Sequence, residues 1–84
     1  MTLAEAKKII KELHNGKHYI TRFQEQEWGI EYLTEKKVFR EWGRETDLSG
    51  RGNDKSFDKS ISETEAIDLF LRYDFKRVLS GLKD

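Results

Sequence analysis

The stretch Gly50-Arg51-Gly52-Asn53-Asp54-Lys55-Ser56 holds the residue types of a phosphate cradle. A phosphate-binding loop needs G-x-x-x-x-G-K-[ST] between a strand and a helix, so that backbone amides and a lysine converge on the phosphates. Here the lysine does not follow a glycine and the helix signal begins several residues late, so nucleotide hydrolysis is not expected. A calcium loop needs carboxylates at positions 1, 3 and 5, glycine at 6 and glutamate at 12. Asp47, Asn53, Asp54 and Asp58 do not keep that register. His14 and His18 are four apart, but Asn15-Gly16 ends the helix between them, so they do not project together as metal ligands.

Acid–base and nucleophilic chemistry find equally thin support. Glu25, Glu27, Glu31 and Glu35 alternate along a strand and its turns. A carboxylate acts as a general acid only when desolvated, and these sit among polar residues. Ser49, Ser56, Ser60, Ser62 and Ser80 have neither a G-x-S-x-G elbow nor an evident histidine partner. The chain contains no cysteine, which excludes disulfides, thiolate zinc sites and cysteine nucleophiles. The expectation is a protein that is not an enzyme, with no cofactor and no metal.

The elements that carry these residues can be read from period and punctuation. The chain has 84 residues, 36% apolar and 12% aromatic, with sixteen basic and sixteen acidic side chains. That is one domain with a small, aromatic-rich core, and not the high net charge of a disordered chain. No apolar run is long enough to span a bilayer, and no signal-peptide pattern opens the chain. A helix signal follows Met1 directly, and a native N-terminus and a cytoplasmic location are expected.

Thr2 and Glu5 have capping-box spacing, and Leu3, Ala6, Ile9, Ile10 and Leu13 recur on one face, predicting a helix over 2–14. Aromatic and β-branched residues over 17–24, 28–33 and 37–43, split by polar turns, predict three strands in an antiparallel meander. A polar connection is expected over 44–60, with Phe57 pinning its far end to the core. Ser62 and Glu65 repeat the capping spacing and open a helix expected over 62–82. Its two apolar stripes are Ala66, Phe70 and Tyr73, and Ile67, Leu71, Phe75, Val78 and Leu82. So wide an apolar arc implies burial on more than one side or a break, expected near Tyr73-Asp74. The fold class is α+β, a two-layer α-β-β-β-α arrangement with the N- and C-terminal helices on one face of the meander.

This order resembles double-stranded RNA-binding domains in topology. "GRGNDKS" ahead of the last helix is similar in outline to the loop with which that family grips phosphates across a groove. The resemblance implies phosphate contacts from the loop of Arg51 and Lys55, and Lys7 and Lys11, which line one edge of the first helix, are the other candidate nucleic-acid contacts. The family's paired lysines at the helix start are replaced here by Glu63 and Glu65, and its glycine-proline-histidine turn is missing. Charge is unevenly spread, with five basic and two acidic residues in 1–24 against four basic and seven acidic in 25–47.

Two helices can cover only one sheet face. Simple alternation groups Trp28, Tyr32, Arg40 and Trp42, either as core or as surface. It leaves Phe23, Phe39 and Leu33 among Glu31 and Glu41 on the opposite face. Aromatic and arginine side chains concentrate at protein–protein hot spots, and open sheet edges accept further strands. The expected function is therefore a small protein-interaction domain: an inhibitor, an immunity-type protein or a regulatory accessory factor of the kind common in phages and mobile elements. Phe23, Phe39, Arg40, Trp42 and Arg51 are its candidate contacts. The expected partner is another protein, including a second copy as a homodimer, ahead of nucleic acid, and no membrane is expected.

Overall fold

The computed structural model describes residues 1–23, 26–72 and 79–84, without the side chains of Phe23, Leu79 and Ser80. It is an α+β fold with the expected meander at its centre. Helix α1 spans Leu3–His14, and strands β1, β2 and β3 span His18–Phe23, Gln26–Leu33 and Val38–Glu45. Strand β4 spans Lys55–Ile61, helix α2 spans Glu63–Arg72, and strand β5 spans Leu79–Lys83. The described strands form one antiparallel sheet in the order β4-β3-β2-β1-β5.

Both helices begin as their sequences dictate. The Glu5 amide donates to Thr2 Oγ1 at 3.2 Å, while the Thr2 amide donates back to Glu5 Oε1 at 3.2 Å. Ser62 and Glu65 repeat the exchange at 3.1 and 3.2 Å. Each box satisfies amides that the first helical turn leaves without an internal acceptor. Helix α1 turns Ala6, Ile10 and Leu13 inward, and α2 turns Ala66, Leu69 and Phe70 inward. They close over Tyr19, Ile30, Phe39 and Ile61, which together form the core on one face of the sheet. No described helix is long and apolar enough to cross a membrane.

Two expectations are corrected. The connection over 44–60 is not one loop, because β3 runs on to Glu45 and Lys55–Ile61 pairs with it from Glu45↔Lys55 to Phe39↔Ile61. Only Ile61 of β4 is buried, so the strand has almost no apolar pattern. It is held by its backbone ladder with β3, a pairing to which composition is nearly blind. Phe57 does not pin the chain to the core. It is 45% exposed, and its ring lies over Gly43, opposite it on β3.

The helix expected over 62–82 is also shorter. The described part of α2 ends at Arg72, and Leu79–Lys83 is a strand paired to β1, with Leu82 opposite Tyr19. The second stripe mixed two elements: Leu82 packs on the core from a strand, while Leu71 on α2 is 42% exposed. The break expected near Tyr73-Asp74 lies outside the described residues, as do Phe75 and Val78.

Candidate interaction face

Register decides which side chains share a face. Tyr32 pairs with Phe39, Ile30 with Glu41 and Trp28 with Gly43. Side chains of directly opposed residues point the same way. Trp28 and Tyr32 therefore join Phe39 and Glu41 beneath the helices, while Arg40 and Trp42 point to the other face. This corrects the grouping of Trp28, Tyr32, Arg40 and Trp42 on one side. Phe39 is only 2% exposed and belongs to the core, so it is not on a free surface. Phe23 closes β1 opposite Gln26, and its side chain lies outside the description. On the helix side Trp28 Nε1 donates to the buried Glu41 at 2.7 Å, and Lys59 Nζ lies 3.7 Å from the same carboxylate.

The other face carries no described helix. Its middle row runs Ile20, Gly29, Trp42 and Asp58 across β1 to β4. The Trp42 indole packs against Gly29, where any Cβ would collide with its ring atoms. His18 approaches the same indole at 6.4 Å between centroids, and the Arg40 guanidinium sits 4.8 Å from the ring centre. Such a contact adds cation–π attraction and holds the arginine in one orientation.

Charged clusters flank this row. On one side Arg22 Nε and a terminal Arg44 nitrogen reach the same oxygen of Glu27, at 3.0 and 3.2 Å. Burial pushes the Glu27 carboxyl up, but hydrogen bonds from Arg22, Trp42 and Arg44 outweigh it and leave it below the usual carboxylate range. On the other side Arg40 reaches Glu31 at 3.1 Å and forks onto Asp58, at the β4 end of the row itself, with bonds of 2.6 to 2.9 Å. The bond to Asp58 holds the arginine above its ordinary value, and Arg40 in turn holds the Asp58 carboxyl below its own. Arg40 and Trp42 are thus two of the expected contacts that the fold brings together. Asp58 was missed because β4 reads as loop. Glu27, Arg22 and Arg44 were missed because only register shows them converging.

Comparison with protein-family models, curated proteins and solved structures finds no match for this chain. The resemblance to double-stranded RNA-binding domains does not extend to the connection it relied on. "GRGNDK" closes the β3–β4 hairpin and leads into a strand, not into the last helix.

The hairpin loop is organised from within. The Asp47 carboxylate accepts from the Ser49 amide at 2.9 Å, the Ser49 hydroxyl at 2.6 Å and the Asn53 amide at 3.1 Å. These bonds, led by the Ser49 hydroxyl, hold the Asp47 carboxyl below its ordinary value. Asp54 accepts from the Asp47 amide at 2.6 Å. Gly50 and Gly52 have φ of 73° and 75°, a backbone region that side chains disfavour, and Arg51 stands exposed between them. Lys55 is exposed where β4 begins, whereas Lys7 and Lys11 are exposed on α1. The cations assigned to nucleic acid thus belong to two separate elements.

Proposed function

We propose that this protein is a non-enzymatic interaction domain that binds another protein chain through the open face of its sheet. The role is that of an inhibitor, an immunity-type protein or a regulatory accessory factor. One observation carries this reading: Trp42 and Ile20 form a half-exposed apolar row between ordered arginine–carboxylate clusters, on a face without a described helix. An apolar centre with a polar rim and aromatic and arginine anchors is the anatomy of a protein interface. The last helix offers less, because α2 spends Ala66, Leu69 and Phe70 on the core and leaves Leu71 exposed.

Nucleic-acid binding through Lys7, Lys11, Arg51 and Lys55 has weaker support. The Ser49 and Asn53 amides, which a phosphate would need, already donate to Asp47. Asp47 and Asp54 also set negative charge beside Arg51 and Lys55.

The test is affinity capture from source-cell lysate with the wild type, Trp42→Ala and the pair Lys7→Ala/Lys11→Ala. A partner lost with Trp42→Ala and kept with the lysine pair supports the open face. Equal recovery by all three rejects it. Fluorescence anisotropy with duplex RNA at low salt runs beside it, and no binding is expected.

A further inference from the structure

We infer that the segment bound by the open face carries a carboxylate that docks between Arg22 and Arg44, beside an apolar side chain on the Trp42–Ile20 row. The inference rests on reading that face as a protein interface and names the chemistry of its partner. Register sets three rows across the face: Arg44, Glu27 and Arg22; then Asp58, Trp42, Gly29 and Ile20; then Arg40, Glu31, His18 and Lys83. In the first row two guanidinium groups share one carboxylate. The Glu27 side chain is 17% exposed, against 61% for Arg22 and 67% for Arg44. What meets solvent at this end of the face is therefore cation. Arg22 spends its Nε and Arg44 one terminal nitrogen on Glu27, and no other hydrogen bond joins either head to the described residues. Both bond the same oxygen, so these two nitrogens lie at most about 6 Å apart, a gap that one carboxylate can bridge with charge-assisted bonds.

The rest of the face favours a single carboxylate at this end over a polyanion. Each row contains one carboxylate, from Glu27, Asp58 and Glu31, so a chain of phosphates laid across the rows would meet all three. In the third row Lys83 adds a cation, but Asp84 follows it at once, and Lys36 acts on Asp58 besides Arg40. Charges of both signs are exposed there, whereas at Arg22 and Arg44 the exposed charge has one sign. Trp42 and Arg44 are two residues apart on β3, about 7 Å, which is also the i,i+2 spacing of an extended segment lying along the strand. The apolar contact then supplies buried area, and the ion pair at the rim fixes orientation and approach.

A displayed library of random peptides, selected on the immobilised full chain, tests this. Enriched peptides are expected to combine Asp or Glu with a nearby aromatic or aliphatic residue. Synthetic copies of them should bind Arg22→Gln/Arg44→Gln about tenfold or more weakly, the cost of a lost charge-assisted pair. They should also lose affinity for Trp42→Ala. Selection on Arg22→Glu/Arg44→Glu should turn the preference from acidic to basic residues, which a merely structural role for the arginines would not do. Circular dichroism and thermal melts check that each variant is folded, and the glutamine pair decides the matter if charge reversal unfolds the chain. Peptides that need Trp42 but bind the glutamine pair as well as the wild type overturn the carboxylate and leave the face as an interface. A library that yields no acidic preference, or no binder, overturns the carboxylate too, and the lysate capture with Trp42→Ala then judges the face by itself. Anisotropy with a single-stranded oligonucleotide is expected to show no binding. Binding that disappears with the glutamine pair would assign the arginines to phosphate instead.

Discussion

The indole of Trp42 on β3 rests directly on the backbone of Gly29 on β2, in the space that any other residue's Cβ would occupy. Gly29 is therefore what lets the tryptophan ring approach the strand on the sheet face without a described helix. Gly29→Ala should lift the indole from the strand and weaken its contact with Glu27. A loss of about 1–3 kcal/mol is expected, the usual range for overpacking. Urea unfolding measures it, and the Trp42 emission should move to longer wavelength as the ring gains water. An unchanged spectrum and midpoint would show that the ring does not depend on this glycine.

Phe39 and Trp42 lie three residues apart on one strand and face opposite ways. Phe39 is buried with Tyr32 and the His14 ring around it, at centroid distances of 5.0 and 5.5 Å. Phe39→Ala should cost about 3–5 kcal/mol, as removal of a buried aromatic does. Trp42→Ala should cost about 1–2 kcal/mol, nearer the centre of the distribution for single substitutions. Thermal melts of the two variants read the contrast. A reversed order would place the core on the wrong face of the sheet.

The depressed carboxylates of Glu27, Asp58 and Asp47 fix the sign of the acid response. A carboxyl whose folded pKa lies below its unfolded one binds fewer protons when folded. Its contribution is complete above the unfolded value, near pH 4, and fades as pH falls through the lower folded value. Stability should thus be level in this respect from neutral pH to about pH 5 and decline below about pH 4. Arg44→Ala should reduce the part due to Glu27, while Lys8→Ala should not. Chemical denaturation at a series of pH values checks both.

Lys37 closes the β2–β3 turn with φ of 56°, and its amide donates to the Leu33 carbonyl at 2.8 Å. A side chain in this left-handed region costs about 1–2 kcal/mol, which glycine avoids. Lys37→Gly should raise stability by up to about 1 kcal/mol, once the greater freedom of glycine in the unfolded chain is set against that relief. A higher urea midpoint with an unchanged slope is the expected result. A lower midpoint would mean that the turn does not need the left-handed residue.

Local signals in the sequence determined the two helix starts, the three central strands and the two-layer class. Thr2 with Glu5, Ser62 with Glu65, and the aromatic and β-branched runs act over a few residues, so their physics is written in adjacent letters. The inward faces of α1 and of α2 at Ala66 and Phe70 were legible for the same reason. Strands β4 and β5 were not. "KSFDKSI" is almost wholly exposed, and "LSGLK" continues a helical spacing until it meets β1. Both owe their form to hydrogen-bond partners distant in the chain. Register made the remaining decisions. Pairing Tyr32 with Phe39 sent Phe39 to the core and Trp42 to the open side, and it gathered Arg22, Glu27 and Arg44 from three strands into one cluster. A shift of one residue in strand pairing exchanges the two faces, and alternation within a strand is silent about which face meets which. The candidate site is therefore a product of tertiary pairing, assembled from residues whose sequence neighbours point away from it.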